Sequence, residues 1–204
     1  MFRDRRWTRG PLVRDLRQSI EIAAPIEAVW AEITKLRGVQ RALMDTVLET
    51  GFEPGDPLYY KSRDGKRTFI VGRIVEVRPP ELLAHTQVLT TRDYAPTLVT
   101  WRLSTTASGG TRVTVEHTGW QDGVKGVDSV DSTWAWILRE LKNVLESGSV
   151  ATSTAVKYGA MRAFLWAMPA RTRTDRIVVP DWMPTAITDN ADGSDNNDKG
   201  TGHG

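Results

Sequence analysis

The sequence predicts an α+β domain in which a curved antiparallel sheet wraps around a long carboxy-terminal helix. Three observations predict it: a strand and a short amphipathic helix at the start, a run of six strand patterns joined by tight turns, and one long amphipathic helical pattern after them. With 204 residues, 40% of them hydrophobic, the chain is long enough to fill one core.

The elements follow in order. Residues 1–16 carry Arg3, Arg5, Arg6, Arg9 and Arg14 among scattered apolar residues and are expected to form a basic arm. From Arg17 to Ala23, Ile20 and Ile22 alternate with Ser19 and Glu21, the period of a half-buried strand. Ala24 and Pro25 then open a helix whose buried stripe is Ile26, Val29, Trp30 and Ile33. A short second helix is expected within Lys35 to Met44. Strands are predicted over Thr46 to Phe52, Pro57 to Arg63, Thr68 to Val77, Leu82 to Leu89, Leu98 to Thr106 and Thr111 to Thr118. Turn signals at Glu53 to Asp56, Asp64-Gly65, Arg78 to Pro80 and Ser108 to Gly110 separate them, and such short connections imply antiparallel neighbours. The helical pattern of Asp131 to Ser147 sets Trp134, Ile137, Leu138, Leu141 and Leu145 against Arg139, Glu140, Lys142 and Asn143, with Gly148 as terminator. A further helix is expected from about Ser153 to Met168, stopped by Pro169.

The domain organisation read from these patterns is an arm at 1–16, the sheet-and-helix domain at 17–148, a helical extension at 149–184 and a disordered acidic tail at 185–204. Asp189, Asp192, Asp195 and Asp198 give that tail a charge of −3 after Lys199 is counted, so the remainder carries +5 of the net +2. That excess is well short of a nucleic-acid-binding footprint.

Several chemistries are excluded or disfavoured. The absence of cysteine removes disulfides and thiolate nucleophiles and suits a cytoplasmic location. Three histidines, one of them His203 in the tail, make no spaced ligand pair, so no metal or other cofactor is expected. Neither a Gly-x-Ser-x-Gly elbow nor phosphate-loop spacing occurs. No run approaches the roughly 20 apolar residues of a membrane span, and no signal peptide or anchor is expected.

The order of elements resembles the START-like superfamily, also called SRPBCC or birch-pollen-allergen-like. Gln18–Trp30 (QSIEIAAPIEAVW) is similar to its opening strand and helix, and Gly72–Pro80 (GRIVEVRPP) followed by Glu81-Leu82-Leu83 to its central hairpin. Gly119–Gly123 (GWQDG) and Trp134–Glu146 (WAWILRELKNVLE) resemble the close of the branch named after the activator of the heat-shock-protein-90 ATPase. Where many relatives of that branch carry two tryptophans after the first helix, this chain reads LRGV at Leu36–Val39. The resemblance covers about Arg17 to Ser147 and implies a helix-grip fold with an internal cavity. It implies binding of an apolar or aromatic small molecule or lipid, with two alternatives: a polyketide cyclase or dehydratase-like enzyme using a cavity histidine, and a chaperone-activator-like interaction domain.

Alternation nominates the cavity residues. Val99, Trp101 and Leu103 share a face, as do Val113, Val115 and His117, while Thr100, Arg102, Thr114 and Glu116 point the other way. The expected ligand-binding set is His117, Trp101, Val99 and Val115 from the strands, Trp120 from the following loop, and Trp134 and Leu138 from the long helix. His117 is either a satisfied histidine donating to a carbonyl or a ligand-orienting or acid-base group. His85 sits on a strand whose two faces are equally apolar, and adjacent Tyr59 and Tyr60 supply one inward ring between them. Trp120 either caps the cavity mouth or packs. Arg162, Arg171, Arg173 and Arg176 around the apolar run Phe164–Met168 suit either a peripheral contact with an anionic membrane or a docked helix with solvated arginines.

Overall fold

The strand patterns assemble into one antiparallel sheet in the computed structural model, which describes residues 15–179 except Asp93, Asp122 and Lys125, together with Met183. The described strands are β1 (Leu16–Ile22), β2 (Val39–Gln40), β3 (Thr46–Glu49), β4 (Pro57–Lys61), β5 (Thr68–Arg78), β6 (Leu82–Leu89), β7 (Thr97–Thr105) and β8 (Thr111–Thr118). Their order, β1-β8-β7-β6-β5-β4-β3-β2, is a meander to which the first strand is added beside the last. The helices are α1 (Ile26–Ile33), α2 (Val127–Ser147) and α3 (Thr152–Ala163), followed by 3-10 turns at Leu165–Ala167, Ala170–Thr172 and Thr174–Arg176. The arm lies outside the described residues except for Asp15 and Leu16, which begins β1, and the acidic tail lies wholly outside them.

Register fixes which residues face α2. Leu16 pairs with His117, His117 with Val99, Val99 with His85 and His85 with Ile74, so one row of concave-face residues crosses five strands. A second row joins Val115, Trp101 and Leu83. Trp134, Ile137, Leu138 and Leu141 of α2 pack onto these rows as one core. Trp101 and Trp134 meet edge to face at 5.4 Å between ring centroids, a geometry that adds about 0.5–1.5 kcal/mol beyond area burial.

Four local readings are corrected. Residues 35–44 form no second helix: β2 pairs with β3, and Arg37, Met44 and Asp45 have φ of 57°, 60° and 61°, which a right-handed helix cannot contain. The buried Gln40 amide donates to the carbonyls of Glu32 and Ile33, capping the end of α1 where more helix would otherwise run. In α1, Val29 and Ile33 are fully buried, but Trp30 is only half-buried at the stripe's edge. The helix after β8 begins at Val127, a turn earlier than Asp131, and its Glu140 is 2% exposed and not on a polar face.

Glu140 is buried because α3 docks on it. Its carboxylate accepts from Thr154 Oγ1 at 2.7 Å and from the Ala151 N–H at 2.9 Å, so an acid on one helix caps the amino terminus of the next. Burial pushes this carboxyl up, yet the hydrogen bonds from Thr154, Ala151 and Asn143 outweigh it and hold the group below its ordinary value. Tyr158 of α3 also donates to the Arg41 carbonyl at 2.9 Å, and Asp45, 4% exposed, pairs with both Arg63 and Arg162.

Beyond α3 the chain passes around the β4–β5 hairpin. Arg67 donates to the Pro169 carbonyl and to Thr172 Oγ1, Thr174 bonds the Lys66 carbonyl, and Val179 and Met183 then pack against Val71 and Val88 on the convex face. Residues 82–88 of β6 are buried on both faces, and Val88 is covered on its convex side by Val179 and Met183. Gly72 is required here: a Cβ on it would lie 1.8 Å from the Thr86 carbonyl oxygen.

Glu140→Ala is expected to cost about 1–3 kcal/mol, the worth of hydrogen bonds to a charged group, in urea unfolding at pH 7. Because the folded carboxyl is held low, its contribution is complete above the unfolded range near about 4.3 and fades as pH falls through the folded value. A loss below about 0.5 kcal/mol would mean that α3 does not depend on this cap.

Candidate functional site

Two histidines on one row of the sheet acquire opposite roles from their hydrogen bonds. His117 is fully buried, and the Trp134 indole N–H donates to its Nδ1 at 2.9 Å. An indole only donates, so Nδ1 is unprotonated and the ring proton sits on Nε2. That proton goes to Thr97 Oγ1 at 2.7 Å, and the Thr97 hydroxyl passes its own to the Gln87 carbonyl at 3.2 Å. Both nitrogens are committed, and burial pushes the imidazole pKa down to about 3, with the nearby His85 a further cause. His117 is a neutral pin between α2, β7 and β6.

His85 differs. The β5–β6 pairing jumps from Val71–Val88 to Ile74–His85, and in the gap Arg73 N–H bonds the Thr86 hydroxyl, not a backbone carbonyl. The Thr86 carbonyl meets His85 Nδ1 at 3.1 Å. A carbonyl only accepts, so Nδ1 carries the proton and Nε2, at the outer end of the ring, is an acceptor with no hydrogen-bond partner among the described residues. Burial lowers this pKa to about 4.

His85 lines a cavity of about 490 Å³ between the sheet and the first half of α2. Its apolar wall is built from Ile70 and Leu89 of the sheet, Val130, Trp134 and Ile137 of α2, and Leu43 and Met44 from the turn before β3. Met161, Phe164 and Met168, from α3 and the turn after it, close one side. The deep polar groups are Tyr60, His85 and Gln87, which are 4%, 1% and 5% exposed. Burial raises the Tyr60 hydroxyl well above its ordinary value, so it stays a donor. The other buried or half-buried hydroxyls of α2 and β3 are used locally: Thr133 bonds the Ser129 carbonyl and Thr46 the Leu43 carbonyl. The hydroxyl of Tyr60, Nε2 of His85 and the side-chain amide of Gln87 hydrogen bond to nothing among the described residues. Facing the cavity, these atoms are open to whatever fills it, and a ligand that displaces water without pairing with them forfeits about 1–3 kcal/mol per group.

Of the residues nominated from the sequence, Trp134 lines this cavity. Trp101, Val99, Val115 and His117 on the concave face, and Leu138 of α2 packed against them, lie in the core beside the cavity, outside its wall. Trp120 packs instead of capping: its ring lies 5.5 Å from Tyr94, itself a wall residue, and its N–H donates to the His117 carbonyl. Tyr60 is the inward tyrosine, whereas Tyr59 packs with the convex-face cluster. The sequence singles out for the cavity neither Gln87 nor, within a segment after residue 148 that could cover one end of the domain, Met161, Phe164 and Met168. Among the described residues no cluster of three acidic, histidine or cysteine side chains suits a metal, and no helix is long and apolar enough to cross a membrane.

Residues 23–146 match the family model described as Activator of Hsp90 ATPase homolog 1-like protein. The cover from α3 lies outside that segment. Among solved structures, the fold is similar to the Aha1 dimer from Colwellia psychrerythraea, with 17% identity over 67% of this chain and 98% of the other and a TM-score of 0.56. DynU16, of the dynemicin biosynthetic locus, is similar at 21% identity and a TM-score of 0.57, over 67% of this chain but 48% of its own, about half its length. CalU16 from Micromonospora echinospora aligns at 20% identity and a TM-score of 0.50 over 75% of this chain and 84% of its own. At such identities the likeness speaks for the fold alone. No curated protein matches the chain.

The two histidines generate a pH dependence. Both are neutral when folded to about pH 4 and about pH 3, but titrate near 6.5 when unfolded. The unfolded chain then binds more protons, so stability is complete above about pH 6.5 and falls below it, by at most about 1.4 kcal/mol per pH unit per histidine. Urea unfolding at pH 7 and pH 5 measures the loss. Nitrogen NMR should find the proton on Nε2 of His117 and on Nδ1 of His85, and the same tautomer at both would contradict the assignment.

Proposed function

The chain belongs to the family of Activator of Hsp90 ATPase homolog 1-like proteins, and we propose that this member binds an apolar small molecule between β4–β6, α2 and α3. The observation that carries the reading is the cavity: about 490 Å³, walled by aliphatic, aromatic and methionine side chains, with a few polar groups converging at depth. Small-ligand sites commonly enclose about 300–1,000 Å³ with that division between apolar wall and sparse polar anchors. Burying the ligand's apolar surface contributes about 25 cal/mol per Å², and the polar groups set its orientation.

An enzymatic reading in the manner of a cyclase or dehydratase has less support. His117, the expected acid or base, has both nitrogens bonded and no access to the cavity. His85 does face it, but among the described residues the wall holds no carboxylate to pair with that ring. A chaperone-activator-like interaction role would draw on Phe164 and Trp166, 64% and 77% exposed. The same pair, with Arg162 close by, is where a peripheral membrane contact would form. Arg162, Arg171 and Arg173 are bonded to Asp45, the Thr91 carbonyl and Asp175, which favours a docked segment over a free membrane helix.

The neutral apolar dye N-phenyl-1-naphthylamine should brighten on binding the native protein. Thr133→Trp, which projects a large ring from α2 into the cavity, should weaken binding at least about tenfold, a loss of about 1.4 kcal/mol. Glu116→Gln, on the convex face, should leave it unchanged within about twofold. Equal effects from the two substitutions would remove the cavity as the binding site.

A further inference from the structure

Tyr60, His85 and Gln87 line the deep part of one cavity, each with a polar group that has no hydrogen-bond partner among the described residues, and their hydrogen-bonding capacities define what they can hold. His85 Nε2 is an acceptor only, because the Thr86 carbonyl takes the proton on Nδ1. Tyr60 offers a hydroxyl, with its ring 6.3 Å from that of His85. Gln87, two residues from His85 on the same face of β6, offers an amide. None is charged. Among the described residues the cation on the wall is Arg92, an exposed residue at the rim whose guanidinium lies against Gly126.

We infer that the ligand is an uncharged apolar molecule bearing a hydroxyl group, a phenol in its simplest form, whose O–H donates to His85 Nε2 and whose oxygen accepts from Tyr60 or Gln87. This deepens the cavity reading above and rests on it. A hydroxyl is the smallest group that donates to an obligate acceptor and accepts from a donor at one point. A carboxylate has no proton for Nε2 and, among the described residues, finds no cation at that depth, so anionic ligands are disfavoured. A hydrocarbon of the same shape leaves all three groups unpaired and binds less well. Aromatic walls from Trp134 and Phe69 suit a flat ring.

Displacement of N-phenyl-1-naphthylamine by 2-naphthol, naphthalene and 2-naphthoate at pH 7 tests this. Desolvation alone favours naphthalene over its hydroxylated analogue, so a preference for the naphthol can come only from hydrogen bonds inside the cavity. The expected result is displacement by 2-naphthol at a concentration at least about tenfold lower than either other compound requires. His85→Phe, which removes the acceptor and with it the cost of leaving that acceptor unpaired, should erase the preference for naphthol over naphthalene. Tyr60→Phe, which keeps the acceptor, should retain most of the preference. Should His85→Phe not fold, the comparison on the native protein decides alone. Equal displacement by naphthol and naphthalene overturns the hydroxyl assignment but leaves the cavity standing. Tighter binding of naphthoate overturns it in favour of the rim cation. Failure of the dye to bind at all overturns the cavity reading and this inference together.

Discussion

One packing constraint governs the molecule: a single helix must cover the concave face of a sheet much wider than itself. A helix with its side chains is roughly 10 Å across, whereas eight strands at roughly 4.8 Å spacing span more than three times that. The helix is therefore held over one part of the sheet, and its position decides where space remains. Trp134 does the holding, edge-on to Trp101 and hydrogen bonded to His117, which is itself tied to β7 and β6 through Thr97 and Gln87. The core beneath α2 is consequently dense along β7 and β8, and the space left over lies above β4 to β6.

The segment after α2 completes that geometry from outside. Anchored by Glu140 at its start, α3 brings Met161 and the following turn brings Phe164 and Met168 to the open side of the cavity. The chain then rounds the β4–β5 hairpin and lays Val179 and Met183 on the opposite face of the sheet. One extension so contributes to the cavity cover in front and to the burial of β5 and β6 behind. That double burial removes water from both sides of the strand that carries His85 and Gln87.

How much of this was legible in the sequence follows from where burial is one-sided. On β7 and β8, Val99, Trp101, Val113, Val115 and His117 alternate with polar residues, so their common face could be read directly, as could the stripe of α2. On β6 the alternation vanishes, because Val88 is covered by Val179 and Met183 while Leu83, His85 and Gln87 face inward, and no period of two survives. The cavity histidine is thus masked by the contact that buries Val88 on the other face, whereas one-sided β8 displays His117, whose partners Trp134 and Thr97 are 17 and 20 residues away. Residues 35–44 misled for a related reason. Their apolar spacing is compatible with a helix, but the Gln40 side chain ends α1 and three left-handed residues turn the chain toward β3. Glu140 reads as a surface acid until the amino terminus of α3 is placed upon it.

The central claim, that the binding space lies over β4 to β6 and not over β7 and β8, is tested most directly by methyl-region NMR during titration with N-phenyl-1-naphthylamine. Ring-current shifts are expected at Leu43, Ile70, Leu89 and Ile137, which line the cavity, while Val99, Val113 and Val115 stay within the range of unrelated core methyls. Large shifts at Val99 and Val115, with Ile70 and Leu89 unmoved, would place the ligand beneath the tryptophan pair and contradict the account.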